Sequence, residues 1–376
     1  MDTEEAVTPV NWQPQPTLPG RDYSSREIFE LEKEKVFFDY WFCIGRAEEV
    51  AEPGSFLVRE VADESILVTR TAQGELRAFY NVCRHRGTRL CDDSGHLKSN
   101  VIKCPYHAWT YNLEGRLLGT PNVHEEEGFD KNDYTLWDVN IASWSGYMFV
   151  NMATDPKPLL QCLDEDEDEP LQYERYRADE LRIGHSISYE VAANWKIIVE
   201  NYNECLHCPS VHPELVSIVP LYRKGLVEER PGWFGNSLVE GGTSFTRTGH
   251  SKLPQLPGLS EEDIHTYFGV AVFPNLLLNF HSDCVMSYTL YPRGEDSTTV
   301  VSEYLFRPET IDGEDFDPSE VVEFWDLVSN QDWVICERAQ TGMHSRAYKS
   351  GVYPRQDRLL YEFNKKYLAQ RGPALQ

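Results

Sequence analysis

Two short segments constrain this chain more than anything else in it. Cys83-Arg84-His85 and Cys104-Pro105-Tyr106-His107 each place one cysteine and one histidine close together, with eighteen residues between the pairs. Such pairs require two loops folded against one metal centre. Zinc can be held tetrahedrally by two thiolates and two imidazoles. A two-iron, two-sulfur cluster can be held with both cysteines on one iron and both histidines on the other. Zinc fingers usually pair like ligands, Cys with Cys and His with His. Here each loop offers one of each, which favours a dinuclear cluster gripped by two neighbouring hairpin tips.

The flanking sequence has the texture such hairpins need. From about 44 to 155, runs such as "SFLVREV", "SILVTRT", "LRAFYNV" and "GYMFVNM" alternate with Gly, Pro, Asp and Asn, which reads as an antiparallel β domain. Before it, residues 21–42 carry apolar side chains at helical spacing (Ile28, Phe29, Leu31, Val36, Phe37), with "SSRE" as a capping box. After it, the acidic run "LDEDEDEP" (163–170) reads as a linker. "HSISYEVAANWKIIVENY" passes from strand to helix, a Gly- and Pro-rich middle (220–260) follows, and then come further strands and a late helix near 317–340. The pattern is α+β, with expected segments 1–43, 44–160 and 161–376.

Composition removes several function classes. Hydrophobic residues at 41% and aromatics at 12% supply a core, so the chain is not disordered. The longest apolar runs, such as "NLLLNF" (275–280), fall far short of the ~20 residues that span a bilayer. The N-terminus has neither the basic nor the apolar stretch of a signal peptide, so a cytoplasmic protein is expected. Lys+Arg at 35 against Asp+Glu at 61 gives 35 − 61 = −26, which argues against nucleic acid or anionic membrane as partner. The acid is expected to be solvated surface. Nine cysteines, unevenly spaced and odd in number, are read first as metal ligands where histidines accompany them.

A second constellation lies at "ENYNECLHCPSVH" (200–212). His207 and His212 are five apart, which a regular helix does not bring to one face as well as an i, i+4 pair. Pro209 and Pro213 break any helix there, so the two can converge through an irregular segment. Two histidines and one carboxylate on one face of a metal form the facial triad of non-haem Fe(II) oxygenases, with open positions for O2 and substrate.

"CRHRGTRL" and "KCPYHAWTY" resemble the Rieske domain of ring-hydroxylating and related oxygenases. The resemblance implies Cys83, His85, Cys104 and His107 as ligands of a [2Fe-2S] cluster. Cys91 and His96 match no ligand position; they are read as a small buried hydrophobe and a surface residue. "ENYNECLHCPSVH" resembles the catalytic motif of the large subunits of these oxygenases, in which an acid precedes the first His by three and the second His follows by five. This implies His207 and His212 as ligands of a mononuclear Fe(II). The family's third ligand is an Asp on a late helix; "NQDWVICERAQTGM" is similar, giving Asp332, with Glu337 and Asp326 as competing carboxylates. The family uses no thiolate at that iron, so Cys205 and Cys208 are read as packing residues.

The resemblance also implies architecture and partners. The fold would be an inserted all-β Rieske domain plus a catalytic domain with an antiparallel sheet covered by helices, of helix-grip type. The protein would be a homotrimer in which the cluster of one subunit serves the iron of the next, with Glu204 linking the two across the interface. Electrons would come from NAD(P)H through a separate reductase or ferredoxin, with O2 as co-substrate. Glu at 204, within E-C-x-H-C, resembles the subgroup acting on quaternary ammonium compounds such as carnitine and glycine betaine. The expected activity is hydroxylation leading to N-demethylation or C–N cleavage; aromatic-ring dihydroxylation and a non-catalytic electron carrier are the alternatives. Quaternary ammonium groups bind aromatic faces. Trp233, Phe234, Tyr267, Phe268, Phe273, Phe280, Tyr288 and Trp325 are the candidate cage residues, most of them expected to be ordinary core.

Overall fold

β-Branched and aromatic runs punctuated by turn residues become strands once each finds a partner for its apolar face. The computed structural model describes residues 12–373 apart from 98, 122, 124–127, 167–168 and 231–232; the side chains of 228–230, 233 and 234 are likewise left undescribed. The chain divides into two compact units, one running from Phe37 to Leu160 and the other combining the residues up to Val36 with those from Gln161 onward.

In the first unit the strands are β1 (Phe42–Arg46), β2 (Ser55–Val61), β3 (Glu64–Arg70), β4 (Leu76–Tyr80), β5 (Gly95–His96), β6 (Val101–Lys103), β7 (Thr110–Asn112), β8 (Leu117–Gly119), β9 (Asp138–Trp144) and β10 (Tyr147–Asn151). Seven of them form an antiparallel sheet in the order β1-β10-β9-β4-β3-β2-β5, and β6-β7-β8 form a second, three-stranded sheet. Cys83 follows β4 and Cys104 follows β6. Under them lies an apolar cluster of Leu67, Phe79, Leu90, Ile102, Trp109 and Tyr111, with Cys91 packed against its edge. Cys91 is half-buried rather than fully buried; His96 is exposed, as expected.

The second unit holds β11 (Arg182–Val191), β12 (Glu228–Arg230), β13 (Trp233–Ser237), β14 (Thr266–Val272), β15 (Leu276–Phe280), β16 (Val285–Gly294) and β17 (Ser297–Phe306). They form one antiparallel sheet in the order β11-β17-β16-β15-β14-β13-β12. Its helices include α1 (Arg26–Glu32), α2 (Trp195–Tyr202), α3 (Ser319–Met343) and α4 (Arg358–Arg371). The expected single helix over 21–42 is interrupted. A short turn, Arg21–Ser24, precedes α1, and a wider-wound turn, Lys33–Phe38, follows it. The cap is also simpler than the expected box: the Ser25 side chain accepts from the Ile28 amide at 3.5 Å, while the Ser24 hydroxyl donates to the Gly20 carbonyl at 2.9 Å. The acidic run is not an open linker either. A helix, Leu159–Asp164, enters it. Asp166 is buried and pairs with Lys366 at 2.5 Å.

Candidate functional site

The two Cys–His segments fold into similar loops. In the first, the Cys83 amide donates to the Thr88 carbonyl at 2.8 Å and the Gly87 amide to the Cys83 carbonyl at 3.0 Å. In the second, the Cys104 amide donates to the Trp109 carbonyl at 2.8 Å and the Ala108 amide to the Cys104 carbonyl at 3.1 Å. Gly87 (φ 69) and Ala108 (φ 58) occupy the left-handed conformation at matching places, so each loop turns back over its own cysteine. Both thiols are buried and close enough to influence one another. The Tyr111 hydroxyl lies 3.3 Å from the Cys83 sulfur and accepts from the Arg84 amide at 3.1 Å. The rings of His85 and His107 are 4.6 Å apart, and Trp109 stacks on His85 at 4.8 Å. Nδ1 of His85 is buried and has no hydrogen-bond partner. A buried imidazole nitrogen without a partner costs free energy unless a metal takes its lone pair. Two thiols, two neighbouring imidazoles and that orphan atom fit a dinuclear cluster.

In the second unit, α2 ends at Tyr202 and the chain turns sharply through His207, a short helix (Cys208–Val211) and His212. Glu200, half-buried in the last turn of α2, accepts from Tyr23 at 2.6 Å, Asn364 at 2.6 Å and Tyr353 at 3.1 Å, which fastens the turn from both ends of the chain. Cys205 and Cys208, expected to be packing residues, are joined as a disulfide across this turn, with Cα atoms 5.0 Å apart. Three-residue spacing in a tight turn puts the two within disulfide reach. They are also buried, and a bonded pair offers no thiolate to a metal.

His207 Nε2 lies 3.1 Å from His212 Nε2, and Asp332 Oδ1 lies 2.8 Å from His212 Nε2 and 3.4 Å from His207 Nε2. Ligand bonds of about 2.1 Å at right angles put donor atoms about 3.0 Å apart, so the triangle has the size a metal face requires. Electrostatics agree. Burial alone would keep His207 neutral, but the Asp332 and Glu204 carboxylates outweigh it and raise the imidazole to about 10. Asp332 is held below its usual range against burial by the two histidines. A group that draws a proton this strongly marks negative potential that a divalent cation also satisfies. The competing carboxylates point elsewhere. Asp326 accepts from Tyr189 at 2.7 Å, and Glu337 from the Ala192 amide at 3.1 Å. Glu204 Oε1 holds His207 Nδ1 at 2.6 Å.

A cleft opens over this triangle. The strand pleat decides which aromatics reach it. Tyr267, Asn279 and Tyr288 lie on the cleft side, with Trp325 entering from α3. Phe268 and Phe280 oppose one another across β14 and β15 and pack on Tyr173 on the other face. Phe273 packs on Phe363 instead. The side chains of Trp233 and Phe234 lie outside the described residues. Tyr202, Tyr222, Phe245 and Trp333 also line the cleft, and sequence reasoning missed them; Tyr202, inside the quoted histidine segment, and Trp333, beside Asp332 in its quoted segment, carried a signal. Gly269 makes room there: a Cβ would stand 2.9 Å from the hydroxyls of both Tyr202 and Tyr267.

The family model for the ring hydroxylating alpha subunit (catalytic domain) matches residues 178–371, and that for the Rieske [2Fe-2S] domain matches residues 40–142. This chain is a Rieske oxygenase alpha subunit. It resembles the glycine betaine monooxygenase oxygenase subunit of Chromohalobacter salexigens, 31% identical over 92% of this chain and 83% of that one. It also resembles the carnitine monooxygenase oxygenase subunit of Escherichia coli, 31% identical over 91% and 89%. Among solved structures, a quaternary ammonium Rieske monooxygenase studied for carnitine oxidation superposes with a TM-score of 0.79 at 26% identity, covering 96% of each chain. Naphthalene 1,2-dioxygenase from Rhodococcus shares the fold, with a TM-score of 0.73 at 20% identity over 94% of each chain. The alpha subunit therefore combines an all-β Rieske [2Fe-2S] domain with a non-haem iron catalytic domain built on an antiparallel sheet, and it is an oxygenase. Among the described residues, no helix is long and apolar enough to cross a membrane.

Proposed function

We propose that this alpha subunit hydroxylates a small quaternary ammonium compound at a carbon next to nitrogen, with oxidative N-demethylation or C–N cleavage as the outcome. The observation that carries the reading is the cleft wall. Phe245 lies 5.0 Å from Tyr267 and 5.1 Å from Trp325, and Tyr288 lies 5.8 Å from Trp333. The tyrosine hydroxyls already have partners: Tyr267 and Tyr202 on Asn279 at 2.7 and 3.2 Å, Tyr288 on Ser329 at 2.6 Å, Tyr222 with Asn236 at 3.0 Å. These residues therefore offer a ligand mainly ring surface. A desolvated cation on such faces gains about 2 kcal/mol, and the nearby carboxylates add to the attraction. The betaine and carnitine relatives point the same way.

In this reading Cys83, His85, Cys104 and His107 hold the cluster, and His207, His212 and Asp332 hold the iron. The bound metals supply one-electron transfer and O2 activation. The residues of the chain do the rest. The aromatic wall orients the cation and excludes water; Glu204 holds the Nδ1 proton of His207 and faces the route by which a neighbouring subunit's cluster would deliver electrons in a homotrimer. A reductase or ferredoxin supplies two electrons from NAD(P)H. One oxygen atom enters the substrate C–H bond, and the other leaves as water with two protons. When the carbon hydroxylated is an N-methyl, loss of that carbon as formaldehyde completes demethylation.

The test is a panel of glycine betaine, carnitine, choline and simple aromatics with a ferredoxin reductase, NADH and O2. Formaldehyde or aldehyde formation matched to O2 uptake with one of the cations is expected. Coupled turnover of the aromatics alone would replace this reading with ring dihydroxylation.

A further inference from the structure

His207 and His212 are braced in different ways. His207 Nδ1 meets a carboxylate directly, Glu204 at 2.6 Å. His212 Nδ1 meets the amide oxygen of Gln331 at 2.7 Å, and the amide nitrogen of Gln331 donates to Glu214 Oε2 at 3.0 Å. Glu214 lies two residues after His212, and Gln331 immediately precedes Asp332 on α3. The three side chains form a relay that ties the histidine loop to the helix carrying the third donor.

The chemistry of the relay has a direction. An ionised carboxylate can only accept, so Glu214 must face the amide NH2 of Gln331. That leaves the amide oxygen turned to His212, where it can only accept. Nδ1 of His212 must then carry the hydrogen, and the ring lone pair sits on Nε2, the atom 2.8 Å from Asp332 and 3.1 Å from His207. His212 is 1% exposed, so water does not readily substitute for the amide.

We propose that Gln331, set by Glu214, is a positioning residue that fixes the tautomer and orientation of His212 for metal binding. This rests on the reading of His207, His212 and Asp332 as the iron ligands, and not on the substrate. Partners of this kind typically change metal affinity 10- to 100-fold.

The experiment measures Fe(II) binding to the mononuclear site of the full-length protein by titration, with the Rieske absorption as an internal check of folding. Gln331→Leu removes both bonds and should weaken Fe(II) binding about 10- to 100-fold while the Rieske absorption is unchanged. Gln331→Glu made together with Glu214→Gln keeps an acceptor on His212 Nδ1 and a donor facing it from residue 214, and should recover most of the loss. The EPR signal of the nitric oxide adduct should broaden in Gln331→Leu, as expected of a loosened ligand. Binding within about twofold of wild type in Gln331→Leu, or an equal loss in the Gln331→Glu, Glu214→Gln double variant, overturns the relay. His212→Ala separates the two failures. If it too keeps the iron, the ligand reading itself is wrong; if it loses the iron while Gln331→Leu does not, only the relay is.

Discussion

Glu204 uses both of its oxygens locally, one on the His207 ring and the other on the Leu206 and His207 amides. It is thus oriented by the loop before any partner arrives. Glu204→Gln keeps the shape and loses the charge. The variant should retain both metals, read by iron content and EPR, and lose at least tenfold in turnover; near-normal turnover would remove the electron-bridge role. Asp357 is a second informative carboxylate. Burial first, then Glu204 and Glu200, push it up to about 6, and its Oδ1 has no partner. A carboxyl raised on folding stabilises only while protonated, so its contribution is complete below about pH 4 and is lost as pH rises through about 6. Asp357→Asn should therefore be more stable than wild type at pH 7, by up to about 3 kcal/mol for a shift of about two units. The gap should close below about pH 4 in urea unfolding. At this scale spacing made the histidines and cysteines candidate metal ligands, and the family resemblance assigned their roles. The disulfide between Cys205 and Cys208 was not, because its formation depends on how tightly the turn closes.

At the scale of single elements, the two cluster loops are one turn used twice. Gly87 sits in left-handed backbone, and a Cβ added there would meet nothing within 4 Å. Gly87→Ala should then cost about 1 kcal/mol purely through conformation, and Ala108→Gly should return a similar amount. Thermal unfolding followed at the cluster absorption checks both, and no change in either would mean the left-handed turns are unstrained. The strands and α3 were readable from period-2 and period-3.6 patterns. Which aromatics face the cleft was not, because the pleat sorts neighbours such as Tyr267 and Phe268 to opposite faces and composition treats them alike. The same limit hid Gln331. Its position beside Asp332 was visible, whereas the partner that gives it a role, His212, is 119 residues away.

At the scale of the molecule, the N-terminal segment is tied to the catalytic unit by charge as well as by apolar packing. Glu32 and Lys196 are both fully buried and pair at 2.5 Å; Trp195 and Tyr367 donate to the same carboxylate at 3.1 and 2.5 Å. Removing one partner strands a buried charge, so Glu32→Leu should cost about 3–5 kcal/mol, and Glu32→Leu with Lys196→Met appreciably less. Chemical denaturation of the single and double variants measures the difference; equal losses would show that the pair is not coupled. The proposed trimer has its own test. Co-expressed His107→Ala and Asp332→Ala chains should recover activity that neither has alone, since an intact cluster can serve an intact iron only across subunits. Failure of mixed trimers to turn over would exclude that route.

The family resemblance named the cluster and the iron; residue type and local spacing by themselves marked the Cys–His and His–His sets as candidate metal ligands, because ligands from one loop must be close in sequence. They determined the α+β class as well, since hydrophobic periodicity is a local property. Tertiary structure alone decided the rest. Asp332 rather than Asp326 or Glu337 joins the histidines because of the rotation of α3 against the histidine loop. Tyr267 and Tyr288 rather than Phe268 and Phe280 face the cleft because of strand register. Glu214 reaches His212 through Gln331 because two distant segments meet at hydrogen-bond distance. Contacts between residues far apart in sequence depend on how whole elements pack, and no local pattern records them.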